Sequence, residues 1–185
     1  MSCIPIAVGN PKLDDEQRRA LDALLGSTNI VSLFRGGAGT GKSFVLHELA
    51  EQLRESGRRV VVLAPQRQQV VEMEKAGFAS PSTVANFLIK RELAERVVVV
   101  VDEAGQIGGR QMLELIRLVR ERNARLILSG DTRQHGAVEA SDALLAIERH
   151  SGVKPFEFAH DSPPRPGTRP HRRRTQPYST VSQGR

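Results

Sequence analysis

The chain has 185 residues, 39% of them hydrophobic and 26% charged, with a net charge of +6, which is enough apolar material for one packed domain. A single cysteine, Cys3, excludes a disulfide framework and a multi-cysteine zinc site, and no apolar run approaches the ~20 residues of a membrane span. Aromatic residues make up only 4%, with no tryptophan, which argues against an aromatic stacking platform for nucleic acid.

Residues 1–11 read as an irregular lead without the basic-then-apolar pattern of a signal peptide, and the expected setting is cytoplasmic. A helix is expected from Asp14 or Asp15 to Leu25, then a turn at residues 26–29 and a short apolar strand at 30–34. The glycine-rich run from Gly36 to Ser43 opens a second helix that reaches Glu55. A buried strand follows at 59–64 and ends at Pro65. Helices are predicted over 66–75 and 82–94. The five valines 97–101 form a strand apolar on both faces. A helix over 108–122, a fourth strand at 126–128 and a last helix over 140–150 complete the pattern. Strands that alternate with helices, each apolar throughout, predict an α/β fold with a parallel sheet and helices on both faces. Residues 12–158 are expected to be that domain. Residues 161–185 hold six arginines and one aspartate, leaving residues 1–160 a net charge of only +1. Residues 159–185 are rich in proline and arginine and poor in apolar residues, so they are expected to be a disordered tail.

Gly36, Gly37, Ala38, Gly39, Thr40, Gly41, Lys42 and Ser43 match the full phosphate-loop pattern after a strand and before a helix. Glycines let the backbone approach an anion, and the loop N–H groups and the helix N-terminus point at phosphate oxygens. Lys42 is expected to reach the β- and γ-phosphates of ATP, and the Ser43 hydroxyl to ligate Mg²⁺. At the tip of the valine strand, Asp102 is expected to hold the same Mg²⁺. Glu103 would orient or deprotonate the attacking water.

Glu16-Gln17, the phosphate loop, Asp102-Glu103-Ala104 and residues 129–134 together resemble motifs of superfamily 1 DNA helicases. The similarity is to the RecD-like branch, and within it to the helicase part of conjugative relaxases, over roughly residues 12–157. The resemblance implies a single RecA-like lobe of a P-loop NTPase. It implies that Gln17 reads the adenine edge, that Gln134 senses the γ-phosphate and that Asp131 supports its loop. It implies single-stranded DNA as partner, contacted by residues 64–67 and 82–84. A complete helicase of this type has a second lobe that supplies an arginine, and no second-lobe pattern follows Phe158. The chain is therefore expected to be a truncated or frame-shifted product that binds Mg·ATP weakly. It would act with a second helicase lobe or a relaxase partner. Two other readings stand beside this one: a nucleotide-binding fragment without turnover, and a small-molecule kinase built on the same loop.

Overall fold

Asp14 starts the first helix. Its carboxylate accepts from the Gln17 backbone N–H at 2.8 Å, and the Gln17 side-chain oxygen accepts from the Asp14 N–H at 3.2 Å, a reciprocal cap. The helix it opens, α1 (Asp15–Gly26), buries Ala20, Leu21 and Leu24. The computed structural model describes residues 12–36, 41–130 and 141–158. The lead at 1–11, loop residues 37–40, residues 131–140 and the tail from 159 onward lie outside the described residues.

After α1 come β1 (Val31–Gly36), α2 (Lys42–Glu55), β2 (Val60–Ala64), α3 (Arg67–Lys75), β3 (Ser82–Thr83) and α4 (Val84–Lys90). Then follow β4 (Val98–Val101), a 3₁₀ turn (Ala104–Gln106), α5 (Gly109–Glu121), β5 (Arg125–Ser129), α6 (Ser141–His150) and β6 (Phe156–Phe158). The six strands form one sheet in the order β3-β2-β4-β5-β1-β6, and every pairing is parallel.

The valine strand explains the layering. Successive side chains of a strand face opposite sides. Val98 and Val100 pack with Leu21 of α1, Leu46 and Leu49 of α2 and Val70 of α3. Val99 and Val101 pack on the other side with Phe87 of α4, Leu115 and Leu118 of α5 and Leu144 of α6. All four valines are fully buried. The expected parallel sheet with helices on both faces is what forms.

Two short strands depart from the expectation. Residues 82–94 do not make one helix. Ser82 and Thr83 pair with Leu63 and Ala64 of β2, and the Thr83 hydroxyl then caps α4 by accepting from the Asn86 N–H at 3.2 Å. The helix stops where Arg91 turns left-handed, at φ 52°. At the opposite edge, Phe34, Arg35 and Gly36 of β1 pair with Phe156, Glu157 and Phe158 of β6. Arg35 forms ion pairs with Glu148 on α6 and Glu157 on β6. The hydrogen bond to Glu148 is the main influence holding its guanidinium above the ordinary arginine value. No helix of the described residues is long and apolar enough to cross a membrane.

Candidate phosphate and metal site

Parallel strands bring their carboxyl ends to one edge, and in such sheets ligands bind beyond that edge. β1 ends at Gly36, β4 at Val101 and β5 at Ser129, so the phosphate loop and the acidic pair come to the same rim. β5 lies between β1 and β4. The Ser129 hydroxyl is therefore in position to bridge, and it donates to Asp102 Oδ1 at 3.0 Å. The Glu103 backbone N–H donates to the same oxygen at 2.9 Å. The Ser43 hydroxyl donates to Asp102 Oδ2 at 3.2 Å. Three donors from three elements thus fix the orientation of one carboxylate that is only 8% exposed.

Lys42 is equally buried, and its Nζ donates to the Gly36 carbonyl at 2.7 Å, so its ammonium lies back against the first glycine of the loop. Gly41 adopts φ +83°, a left-handed conformation natural to glycine. A Cβ there would come within 2.6 Å of Gln17 Nε2. The reciprocal cap that starts α1 thus also holds the Gln17 amide against the end of the phosphate loop. Gln17, Gly36, Gly41, Lys42, Ser43, Asp102 and Glu103 gather at one end of the sheet. Gly37, Ala38, Gly39, Thr40, Asp131 and Gln134 lie outside the described residues.

Glu103 is held at φ 50°, where a non-glycine residue costs on the order of 1–2 kcal/mol. The turn breaks the alternation of β4, and Glu103 joins Ser43 and Asp102 in lining one cavity of about 580 Å³. The rest of the lining comes from β2, α3 and the turn after it, including Ala64, Gln69, Met73 and Phe78, and from Gln106. Gln17, Gly41 and Lys42 are not among the lining residues, so the cavity opens from the Ser43–Asp102 side of the site toward α3.

Two features were not singled out as site residues from the sequence. Ser129 is one; it is a polar residue at the end of an apolar strand, and its role depends on which strand lies next to it. The other is a contact among three glutamines, of which only Gln66 falls in a segment named by the resemblance. Gln106 Oε1 accepts from Gln66 Nε2 and from Gln69 Nε2, each at 3.0 Å, tying the turn after Glu103 to the start of α3. Nothing in the spacing of residues 66, 69 and 106 announces this contact. Gly130 belongs to the segment 129–134 that carries the resemblance, and its packing gives it a structural reason as well. Its Cβ would stand 3.2 Å from the Gly105 backbone nitrogen and 3.2 Å from Leu144 Cδ2, so a glycine lets that turn and α6 close over β5. The segments 64–67 and 82–84 are side by side through the register Ala64↔Thr83, with Arg67 exposed.

The donor set suits a hard cation. Ser43 and Asp102 offer oxygen, and among the described residues no group of three His, Cys, Asp or Glu could hold a metal unaided. Magnesium commonly takes one or two protein ligands and completes its shell with water and phosphate oxygens, so the residues present fit it.

Residues 12–160 match the AAA domain family model. The "Probable conjugal transfer protein TraA" of Sinorhizobium fredii is 31% identical over 153 residues, covering 79% of this chain and 14% of that protein. The "Multifunctional conjugation protein TraI" of Escherichia coli K12 is 31% identical over 140 residues, covering 69% of this chain and 8% of that protein. The chain thus spans a small part of the relatives it matches, and the resemblance to conjugative relaxase-helicases read from its motifs is borne out by them. The helicase domain of Hef from Pyrococcus furiosus superposes with a TM-score of 0.57 at 14% identity, covering 80% of this chain and 38% of that one, which speaks for the fold. With its phosphate-loop strand, acidic strand end and parallel sheet all inside the matched span, the chain belongs to the AAA domain family.

Proposed function

We propose that this chain is the ATP-binding and ATP-hydrolysing lobe of a helicase-type conjugation protein, working with a second lobe and with single-stranded DNA. The observation that carries the reading is the 3.2 Å hydrogen bond from Ser43 to Asp102, which joins the start of the phosphate-loop helix to the acidic strand end. Ser43 and Asp102 would hold Mg²⁺, which when bound neutralises charge on the phosphate oxygens. Lys42 would leave the Gly36 carbonyl for the β- and γ-phosphates. The loop from Gly36 to Gly41 would offer its N–H groups to the phosphate oxygens. Gln17, beside Gly41, would read the base by donating from its amide nitrogen and accepting at its oxygen. Glu103 would take the proton of the water that attacks the γ-phosphorus. Gln134 would sense the γ-phosphate, and the adjoining segments 64–67 and 82–84 would meet the DNA backbone.

The test is calorimetric titration with Mg·ATP, followed by phosphate release with and without a single-stranded oligonucleotide. Nucleotide binding with DNA-stimulated release supports the motor reading. Binding without release under either condition leaves a nucleotide-binding module, and phosphate transfer to a small molecule supports a kinase.

A further inference from the structure

The loops at the amino ends of β2, β4 and β5 lie on the rim opposite the phosphate loop, and within residues 1–160 they are strongly basic. Segments 54–59, 90–96 and 120–125 contain nine basic residues, eight of them arginine. They contain four acidic ones, Glu55, Glu92, Glu95 and Glu121. Their net charge is +5, while residues 1–160 together sum to +1, so the rest of that span is net acidic.

The three loops form one surface because β2, β4 and β5 are consecutive in the sheet. Backbone hydrogen bonds stitch them together. The Val98 N–H donates to the Arg59 carbonyl at 3.0 Å, Arg96 N–H to the Arg122 carbonyl at 3.1 Å, and Arg125 N–H to the Val97 carbonyl at 2.9 Å. Arg58, Arg59, Arg96 and Arg122 are exposed. Among the described residues, Arg54 pairs with Glu51, and no carboxylate lies within 4.0 Å of the other eight cations. Arg125 sits beneath them with its guanidinium on the Leu24 carbonyl at 3.1 Å. Burial, and then the nearby charge of Arg58, hold it below its ordinary value, which ties Arg125 to the exposed cation on the neighbouring loop.

We infer that this rim is a docking surface for the phosphodiester backbone of a nucleic acid, separate from the ATP site and independent of it. Arginine forks match phosphate oxygens two at a time, which favours arginine over lysine on such a surface. A protein partner would need an apolar centre. Among the described residues the large exposed apolar side chains are Ile30, Ile89 and Leu113; Ile30 and Ile89 border this rim singly, and none lies within the three arginine-bearing segments to form such a centre.

The experiment compares the full chain with the variant R58Q/R59Q/R96N/R122Q, asparagine being chosen at 96 because Arg96 has φ 58°. Fluorescence anisotropy is read on labelled duplex and single-stranded oligonucleotides across a salt series. The same four changes are repeated in a background with Arg172, Arg173 and Arg174 replaced by glutamine, to separate the rim from the tail. The slope of log affinity against log salt should flatten by about 3–4 on duplex, or by about 2–3 on single strands, in both backgrounds. Whichever probe shows the change names the source of the phosphate. An unchanged slope on both probes overturns the inference, as does an effect that vanishes in the tail-substituted background. Equal loss of binding to polyglutamate at matched charge also overturns it, in favour of an acidic protein. If the fourfold variant melts lower than the parent, R59Q/R122Q reads the same slope with an expected change of about 2 on duplex or about 1.4 on single strands, and no change on either probe overturns the inference.

Discussion

Replacing Asp102 by asparagine separates the metal role from the structural one. The asparagine oxygen can keep the hydrogen bonds from Ser129 and the Glu103 N–H, now 3.0 and 2.9 Å long. Its amide can donate to Ser43, whose hydroxyl can turn to accept. Net loss in the free protein should therefore stay within about 1 kcal/mol, the worth of one hydrogen bond. For a folded unit of the 149 residues in the matched span, that is about 3 °C in Tm. A nucleotide at about 100 times its Kd stabilises by about 2.7 kcal/mol, or about 8 °C on the same scale. The assay is thermal unfolding of parent and variant with ATP, in magnesium and in chelator. The parent should gain about 8 °C with Mg·ATP, and Asp102→Asn should lose the magnesium-dependent part of that gain while its free Tm moves by about 3 °C or less. A variant that keeps the full magnesium-dependent shift refutes Asp102 as a metal ligand. A fall of more than about 10 °C in the free protein would show instead that the carboxylate is needed to hold three elements together.

Lys42→Ala should abolish the nucleotide-induced rise in Tm, because the substitution removes an ammonium 2.7 Å from the Gly36 carbonyl at the mouth of the loop; a preserved rise moves the phosphates elsewhere. Glu103→Gln should bind Mg·ATP as the parent does and slow phosphate release by about 10²–10⁴-fold, as expected for loss of a general base. Parent-like turnover would remove Glu103 from that role. Gly130→Ala should lower Tm by about 3–9 °C, from about 1–3 kcal/mol of overpacking against Gly105 and Leu144; no change would mean α6 yields freely. Gln106→Ala should leave nucleotide affinity within about twofold while hydrogen exchange quickens in the first turn of α3, since two amide donors lose their acceptor at about 1 kcal/mol each. Unchanged exchange would show that the glutamine contact holds nothing in place.

Central strands and long helices were legible because burial on both faces leaves an uninterrupted apolar run, as at residues 97–101, and because helical spacing marks α5. The edge strands were not, since β3 and β6 have two and three residues, one neighbouring strand each and no apolar run long enough to mark them. The helix expected over 82–94 failed because Thr83 is extended and caps, a use of threonine that competes with helix interior. At the site, motif spacing pointed to Ser43 and Asp102 and the resemblance to Gln17, and the geometry brings each to the rim. Ser129 and Gln106 were hidden because their partners come from strand order and from a turn, neither of which is written in local sequence.

Arg35 stands one residue before Gly36 and grips both α6 and β6 through Glu148 and Glu157. The phosphate loop therefore hangs from a fulcrum whose two arms belong to the last elements of the described chain. Both ion pairs are thus made one residue before Gly36, the first glycine of the loop. Neutralising Glu148 or Glu157 would loosen that support without altering Gly36, Lys42, Ser43 or Asp102 themselves.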